Sequence, residues 1–268
     1  MILALLVHVY LWCSIGTVIA LQKEINRIGR WNNSFADWST TSLRMTVLAT
    51  KNENPRVELL LNSLELCSKC NYFLQVAVDC KDTKRFQVSN STMSISFELE
   101  LMSRNSIFEV SITKITEPNT GTWMVQDIEI SNGELLNYAD SCQHLRRKMI
   151  VIGDSLNIGY GVEGESPCPY SPDTENVLLA YGHLTAHRLS SEVHVIAWSG
   201  RGVVRNYGEN ETSSKSLTVP QLYNRTLASS ELDLVSYWDP ANFQVFRKQS
   251  FFFINLTIYF YTGKCGHD

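Results

Sequence analysis

The stretch Lys148-Met149-Ile150-Val151-Ile152-Gly153-Asp154-Ser155 decides the reading of this chain. A continuous apolar run that ends at a glycine is the pattern of a strand buried on both faces of a parallel sheet. Val193-His194-Val195-Ile196-Ala197-Trp198 repeats that pattern further along. Between the two runs, Thr174 to Leu189 reads as a helix with Leu178, Tyr181, Leu184, Thr185 and Leu189 on one stripe. Strand, crossover and strand form a βαβ unit, which predicts an α/β domain with a parallel sheet over 144–268.

Upstream the period changes from continuous to two. Ser42-Leu43-Arg44-Met45-Thr46-Val47-Leu48, Phe73-Leu74-Gln75-Val76-Ala77-Val78 and Phe108-Glu109-Val110-Ser111-Ile112-Thr113 alternate polar and apolar residues, as half-buried strands do. Turn residues separate them at Lys51-Asn52-Glu53-Asn54-Pro55, Pro118-Asn119-Thr120-Gly121 and Ser131-Asn132-Gly133. This texture predicts an antiparallel β-sandwich of the jelly-roll kind over 21–143. The composition, 44% hydrophobic and 19% charged over 268 residues, suits two globular domains. A net charge of −4 leaves no basic surface for a row of phosphates, so nucleic acid is excluded as a partner.

Residues 1–20 carry no Asp, Glu, Lys or Arg and end in Val18-Ile19-Ala20, which predicts a cleaved signal peptide and a secreted protein. The apolar run breaks at Cys13-Ser14-Ile15-Gly16, so no stable membrane span is expected after cleavage. Glycosylation acceptor triplets begin at Asn32, Asn90, Asn210, Asn224 and Asn255. Cys67, Cys70, Cys80, Cys142, Cys168 and Cys265 follow the leader, and an oxidising compartment favours disulfides among them. Half a zinc site at Cys67-x-x-Cys70 is the competing reading, but no second cysteine or histidine pair follows at finger spacing.

Chemistry concentrates where the buried strands end. In a parallel α/β sheet, ligands bind beyond the carboxyl ends of the strands, and there Gly153-Asp154-Ser155 would present a hydroxyl nucleophile. The Ser155 N–H would serve as an oxyanion donor, and Gly200, in Trp198-Ser199-Gly200-Arg201-Gly202-Val203-Val204-Arg205-Asn206, would supply a second N–H from the neighbouring strand end. Asp154 is read as orienting the turn. His183 and His187 share a helix face, but Leu184 stands where a metalloprotease needs Glu; they are read as exposed helix residues, and no metal or organic cofactor is expected. Trp198 is read as lining the rim of the site or, more commonly for such a residue, packing the sheet edge, and Arg201 and Arg205 as surface cations or substrate contacts. Substrate-binding residues and oligomeric state are not legible.

The strings IVIGDSLNIGYGVEG, TENVLLAYGHLTAHRL, VHVIAWSGRGVVRNYG, VPQLYNRTL and YWDPANFQ, with GRWNNSFADWSTTSLRM and ITKITEPNTG upstream, resemble the SGNH (GDSL-type) hydrolases, specifically carbohydrate esterase family 2. The resemblance runs from about Gly29 to Gln244. It implies a jelly roll preceding a hydrolase domain, a polysaccharide O-acetyl esterase activity on acetylated carbohydrate, Ser155 as nucleophile and first oxyanion donor, and Gly200 as second donor.

It also implies a third donor in a Gly-x-Asn-Asp block and a histidine base near the C-terminus. From about residue 245 the chain reads VFRKQSFFFINLTIYFYTGKCGHD instead. Thr257-Ile258-Tyr259 stands where the asparagine block is expected, and His267 lacks the surrounding domain. The expectation is a truncated hydrolase domain with a divergent tail, from an alternative transcript end or else an ordinary third strand. Losing the base removes ~10²–10⁴ in rate, and losing one donor about 10²–10³, so the chain as written is expected to be impaired. The alternative from another class is a non-catalytic secreted carbohydrate-binding or interaction protein.

Overall fold

The computed structural model describes residues 25–62, 70–103, 105–137, 147–209, 216–229, 237–238 and 250–254. The expected signal peptide, the 143/144 boundary, Asn210, Asn255, His267 and most of the tail lie outside the described residues. The described chain is mostly β.

The strands in order are β1 (Ile25–Ile28), β2 (Phe35–Ala36), β3 (Ser42–Ala49), β4 (Arg56–Leu61), β5 (Asn71–Val78), β6 (Lys81–Ser89), β7 (Ser94–Glu98), β8 (Ile107–Lys114), β9 (Trp123–Ser131), β10 (Gly133–Leu136), β11 (Arg147–Gly153), β12 (Ser191–Ala197) and β13 (Ser250–Ile254). Among the described residues two α-helices accompany them, α1 (Tyr181–Arg188) and α2 (Val219–Tyr223). The alternating segments form two antiparallel sheets. One has the order β1-β3-β8-β5-β6 with β10 also on β3, and the other the order β2-β9-β4-β7. Side chains from both sheets, including Met45, Val47, Val57, Leu59, Leu74 and Trp123, form one buried core. Period-two alternation gives each strand one such inward face, and burying each large apolar side chain contributes ~1.5–3 kcal/mol.

The third sheet is parallel, in the order β12-β11-β13. Its central strand is buried on both faces, as its sequence implies. Met149 and Val151 join Val193, Val195 and Ala197 in one cluster, while Ile150 joins Ile196, Trp38 and Trp238 in another. Of the expected α/β domain, the described residues thus hold a three-stranded parallel sheet and two short helices. The aromatic tail supplies the third strand, whose backbone pairs with β11 from Lys148↔Ser250 to Ile152↔Ile254.

The crossover differs from its reading. The expected helix from Thr174 to Leu189 is interrupted: 3-10 turns at Pro172–Thr174 and Val177–Leu179 precede α1. Its inward face is Gly182 and Ala186, whereas Leu184 and Leu189 are exposed. The cause is spacing: a β-carbon on Gly182 would lie 2.9 Å from Val151, so the helix packs through its small residues and turns its leucines outward. His183 is also not exposed as expected. Its Nδ1 lies 3.0 Å from the Leu178 carbonyl, and burial pulls its pKa down to about 4.

The antiparallel and parallel parts meet through buried polar groups. The Arg30 guanidinium donates to the carbonyls of Tyr223 at 2.6 Å and Arg225 at 2.8 Å, and lies 3.9 Å over the Trp238 ring. The Asp37 carboxylate accepts the N–H groups of Ala228 and Ser229 at 2.9 and 2.7 Å. Val195 N–H donates to Thr40 Oγ1 in the middle of β12. Cys70, Cys80 and Cys168 are disulfide-bonded.

Candidate active site

Strand β11 runs parallel to β12 in the register Arg147↔Ser191 to Gly153↔Ala197. Both strands therefore end at the same edge, one inter-strand spacing of about 4.8 Å apart. Ser155 follows two residues after Gly153, and Gly200 three residues after Ala197. The register brings the two sequence-derived site residues to one edge of one sheet.

The Ser155 turn is built by hydrogen bonds to buried side chains. Asn157 Oδ1 accepts the Asp154 N–H at 3.2 Å, and Asn157 Nδ2 donates to the Tyr181 hydroxyl at 2.7 Å. Asp154 Oδ1 accepts the Leu156 N–H at 3.1 Å, so this carboxylate orients the turn. A β-carbon on Gly153 would stand 1.9 Å from Asn157 Oδ1; only glycine lets that amide fold back under the strand end. Ser155 itself is half-buried, and among the described residues its hydroxyl has no hydrogen-bond partner.

The Gly200 turn is closed by the Arg201 N–H donating to Trp198 O at 3.1 Å. Gly200 has φ +74° at its third position, the left-handed value a type II turn requires there. The Gly200 carbonyl accepts the Tyr207 N–H at 2.8 Å. Asn206, 6% exposed, accepts the Gly202 N–H at 3.1 Å and donates to Ser216 O at 2.9 Å. Arg201 stacks over Trp198 at 4.4 Å and donates to Leu217 O at 3.1 Å. Arg205 and Tyr207 are exposed at this rim, and a cavity of about 330 Å³ opens beside it between Trp198, Arg201, Leu217, Gln221, Arg225 and Ser229.

Sequence reading missed a buried carboxyl pair next to this edge. Glu117 and Glu175 are 1% and 0% exposed. Glu175 Oε1 accepts the Glu117 N–H, and Glu117 Oε2 accepts the Ser199 N–H at 2.8 Å. Lys114, fully buried, donates to Glu117 O at 2.8 Å and Thr116 O at 2.7 Å. Burial raises the Glu175 carboxyl well above the usual carboxylate range, the Glu117 charge adds to this, and Lys114 partly offsets it. Burial likewise lowers Lys114 to about 8, against the pull of Asp37, Glu175 and Glu117. The pair spans 58 positions, so no local spacing reveals it; the one signal is a lone acid in the Ile115-to-Gly121 turn.

The histidines among the described residues serve elsewhere. His183 and His187 line a separate cavity with Ser191 and Val193, at the opposite end of β12. His194 lies within β12, 3.4 Å from Glu192. No cluster of metal-ligating side chains occurs among the described residues. Of the described acceptor asparagines, Asn224 is exposed, Asn32 is half-buried, and Asn90 Oδ1 accepts the Cys70 N–H at 2.6 Å.

Comparison with known proteins bears directly on this geometry. The chain is 32% identical over 139 residues to the cellulase/esterase CelE of Acetivibrio thermocellus, covering 52% of this chain and 16% of that protein. The chain resembles the carbohydrate esterases of family 2. An acetylxylan esterase/glucomannan deacetylase of Cellvibrio japonicus is 38% identical over 102 residues, 35% of this chain and 27% of that protein. Among solved structures, a family two carbohydrate esterase from Clostridium thermocellum in complex with cellohexaose superposes with a TM-score of 0.66 at 24% identity. That match covers 81% of this chain and 62% of that one. The chain thus spans about a quarter or less of the two curated relatives. No protein-family model matches it. No helix among the described residues is long and apolar enough to cross a membrane.

Proposed function

We propose that this chain is a secreted O-acetyl esterase of the SGNH type acting on acetylated polysaccharide, with Ser155 as nucleophile. The observation that carries this reading is the parallel register Gly153↔Ala197, because a carbonyl held at that edge meets both a hydroxyl and a glycine turn. In the reaction Ser155 Oγ bonds to the acetyl carbon, its proton passes to solvent water, and the carbonyl electron pair moves onto oxygen. The N–H groups of Ser155 and Gly200 donate to that oxyanion. Collapse breaks the bond to the sugar oxygen, which takes up the proton, and water then releases acetate from the serine.

The hydrolase-type domain over 144–268 and the preceding sandwich are the corresponding division of labour, with the rim cavity beside Trp198 and Arg201 as the sugar-facing side. The uncharged leader and the disulfide-bonded cysteines support secretion. No described histidine reaches Ser155, so the rate proposed is the residual catalysis of ~10³–10⁴ over water that binding and an oxyanion site retain without a base.

The same observation favours a second reading, in which the edge holds a sugar chain without cleaving it. Hydrolysis of p-nitrophenyl acetate and acetate release from acetylated xylan, each compared with Ser155→Ala, separate the two. The esterase reading expects turnover above buffer that Ser155→Ala abolishes. Retention of cellohexaose with no acetate release, or turnover indifferent to Ser155→Ala, contradicts it.

A further inference from the structure

The Ser199–Gly200 peptide is the central peptide of the Trp198–Arg201 turn, and its orientation decides where the Gly200 N–H points. A type II turn and a type I turn differ by a flip of that peptide, and the type I form would turn the N–H to the other side. Both neighbouring peptides are held from outside the turn. On one side the Gly200 carbonyl accepts the Tyr207 N–H at 2.8 Å. On the other, the Ser199 N–H donates to the Glu117 carboxylate at 2.8 Å.

Glu117 belongs to the segment that follows β8, on the antiparallel side of the molecule, and its own backbone has little freedom. Its N–H is bonded to Glu175, its carbonyl accepts Lys114 Nζ at 2.8 Å and Thr120 Oγ1 at 2.7 Å, and Pro118 follows it. The neighbouring Ile115 is pinned by Phe73 O at 3.0 Å and Val177 N–H at 3.1 Å. A carboxylate this well fixed is costly to bury unless donors meet it; the Tyr170 hydroxyl lies against it, and its Oε2 takes the amide beside Gly200.

We propose that Glu117 is a positioning residue for acyl transfer: reaching across from the sandwich side, its carboxylate holds the Ser199 N–H and so keeps the Gly200 N–H aimed at the Ser155 edge. This inference rests on the esterase reading for its catalytic consequence, whereas the grip on the turn does not depend on that reading. It gives the sandwich a role in the chemistry besides packing.

The test compares Glu117→Ala, Glu117→Asp and Glu117→Gln in the full chain, by residue-resolved amide hydrogen exchange at Ser199 and Gly200 and by p-nitrophenyl acetate kinetics. Gln keeps an acceptor oxygen at the same reach, Asp withdraws it by one methylene, and Ala removes it. Exchange at Ser199 should quicken at least ~10-fold in Ala and Asp and stay near wild type in Gln, since a shielded donor without an acceptor loses its protection, with Gly200, whose N–H has no acceptor among the described residues, as the reference amide. In the same variants kcat should fall by ~10²-fold with KM unchanged, the loss of one oxyanion donor, and Gln should restore it. If Ala fails to fold, the Asp-against-Gln contrast decides. Unchanged exchange in Asp and Ala overturns the proposal, as does a Gln variant as fast-exchanging as Asp. If exchange responds as expected while turnover survives Ser155→Ala, the esterase reading fails and the grip on the turn stands.

Discussion

The antiparallel and parallel parts of this chain are stabilised by different means. The sandwich is closed by its own two sheets, and its core residues come from within 25–136. The parallel sheet borrows: Phe73 and Ile115 complete one of its clusters and Trp38 the other, while Arg30, Asp37, Thr40 and Glu117 occupy its loop and strand donors and acceptors. Among the described residues, the three-stranded parallel sheet and its two short helices bury few apolar residues of their own, and the site edge draws on groups delivered from the other half. The difference teaches that the sandwich is a structural participant in the site.

The largest expected effect is Leu59→Ala, which empties a fully buried position of the sandwich core and should cost ~2–5 kcal/mol. Because the parallel part leans on the sandwich, its near-ultraviolet dichroism should be lost in the same thermal transition; a surviving second transition would break the asymmetry. Asp37→Ala acts the other way. It strips the acceptor from the Ala228 and Ser229 N–H groups, and the buried Ala228 donor left unmet costs about 1–3 kcal/mol. Limited proteolysis should then cut within 147–229 while the sandwich persists. Gly153→Ala pushes a β-carbon into Asn157 and should cost ~1–3 kcal/mol, read as a lower urea midpoint.

A pH titration sharpens the same contrast. Glu175 has an ordinary value of 4.5 and is raised well above it when folded. Over that interval the folded chain keeps a proton that the unfolded chain has released. Its contribution to stability is therefore complete below pH 4.5 and is lost as pH rises through the raised value. Glu175→Gln should flatten the fall of Tm across that interval, and an unchanged slope would exclude Glu175 as its source. The smallest effect belongs to Leu184→Ala. Leu184 is 45% exposed, so its melt should shift by no more than about 0.5 kcal/mol equivalent, where the sequence stripe implies a core loss.

What the sequence made legible follows from how local each signal is. Alternation in Ser42–Leu48 or Phe108–Thr113 is a property of consecutive residues, and β3 and β8 lie where it implies. The continuous runs before Gly153 and Trp198 likewise became β11 and β12, in parallel and in register. The helix stripe misled because Gly182 and Ala186, which carry no hydropathy signal of note, are the residues that fit against Val151. Glu117 and Glu175 stand 58 positions apart with no local spacing to link them; only the folded chain joins them. The tail from Ser250 to Ile254 reads either as a divergent transcript end or as a third strand, and its backbone pairs with β11.

The most direct measurement of the central claim is peptide mass spectrometry of the protein quenched in acid during reaction with p-nitrophenyl acetate. A single acetyl group on Ser155, absent from Ser155→Ala, is the predicted result. Acetylation that misses Ser155, or none while cellohexaose is still bound, would contradict an acyl site at the shared end of β11 and β12.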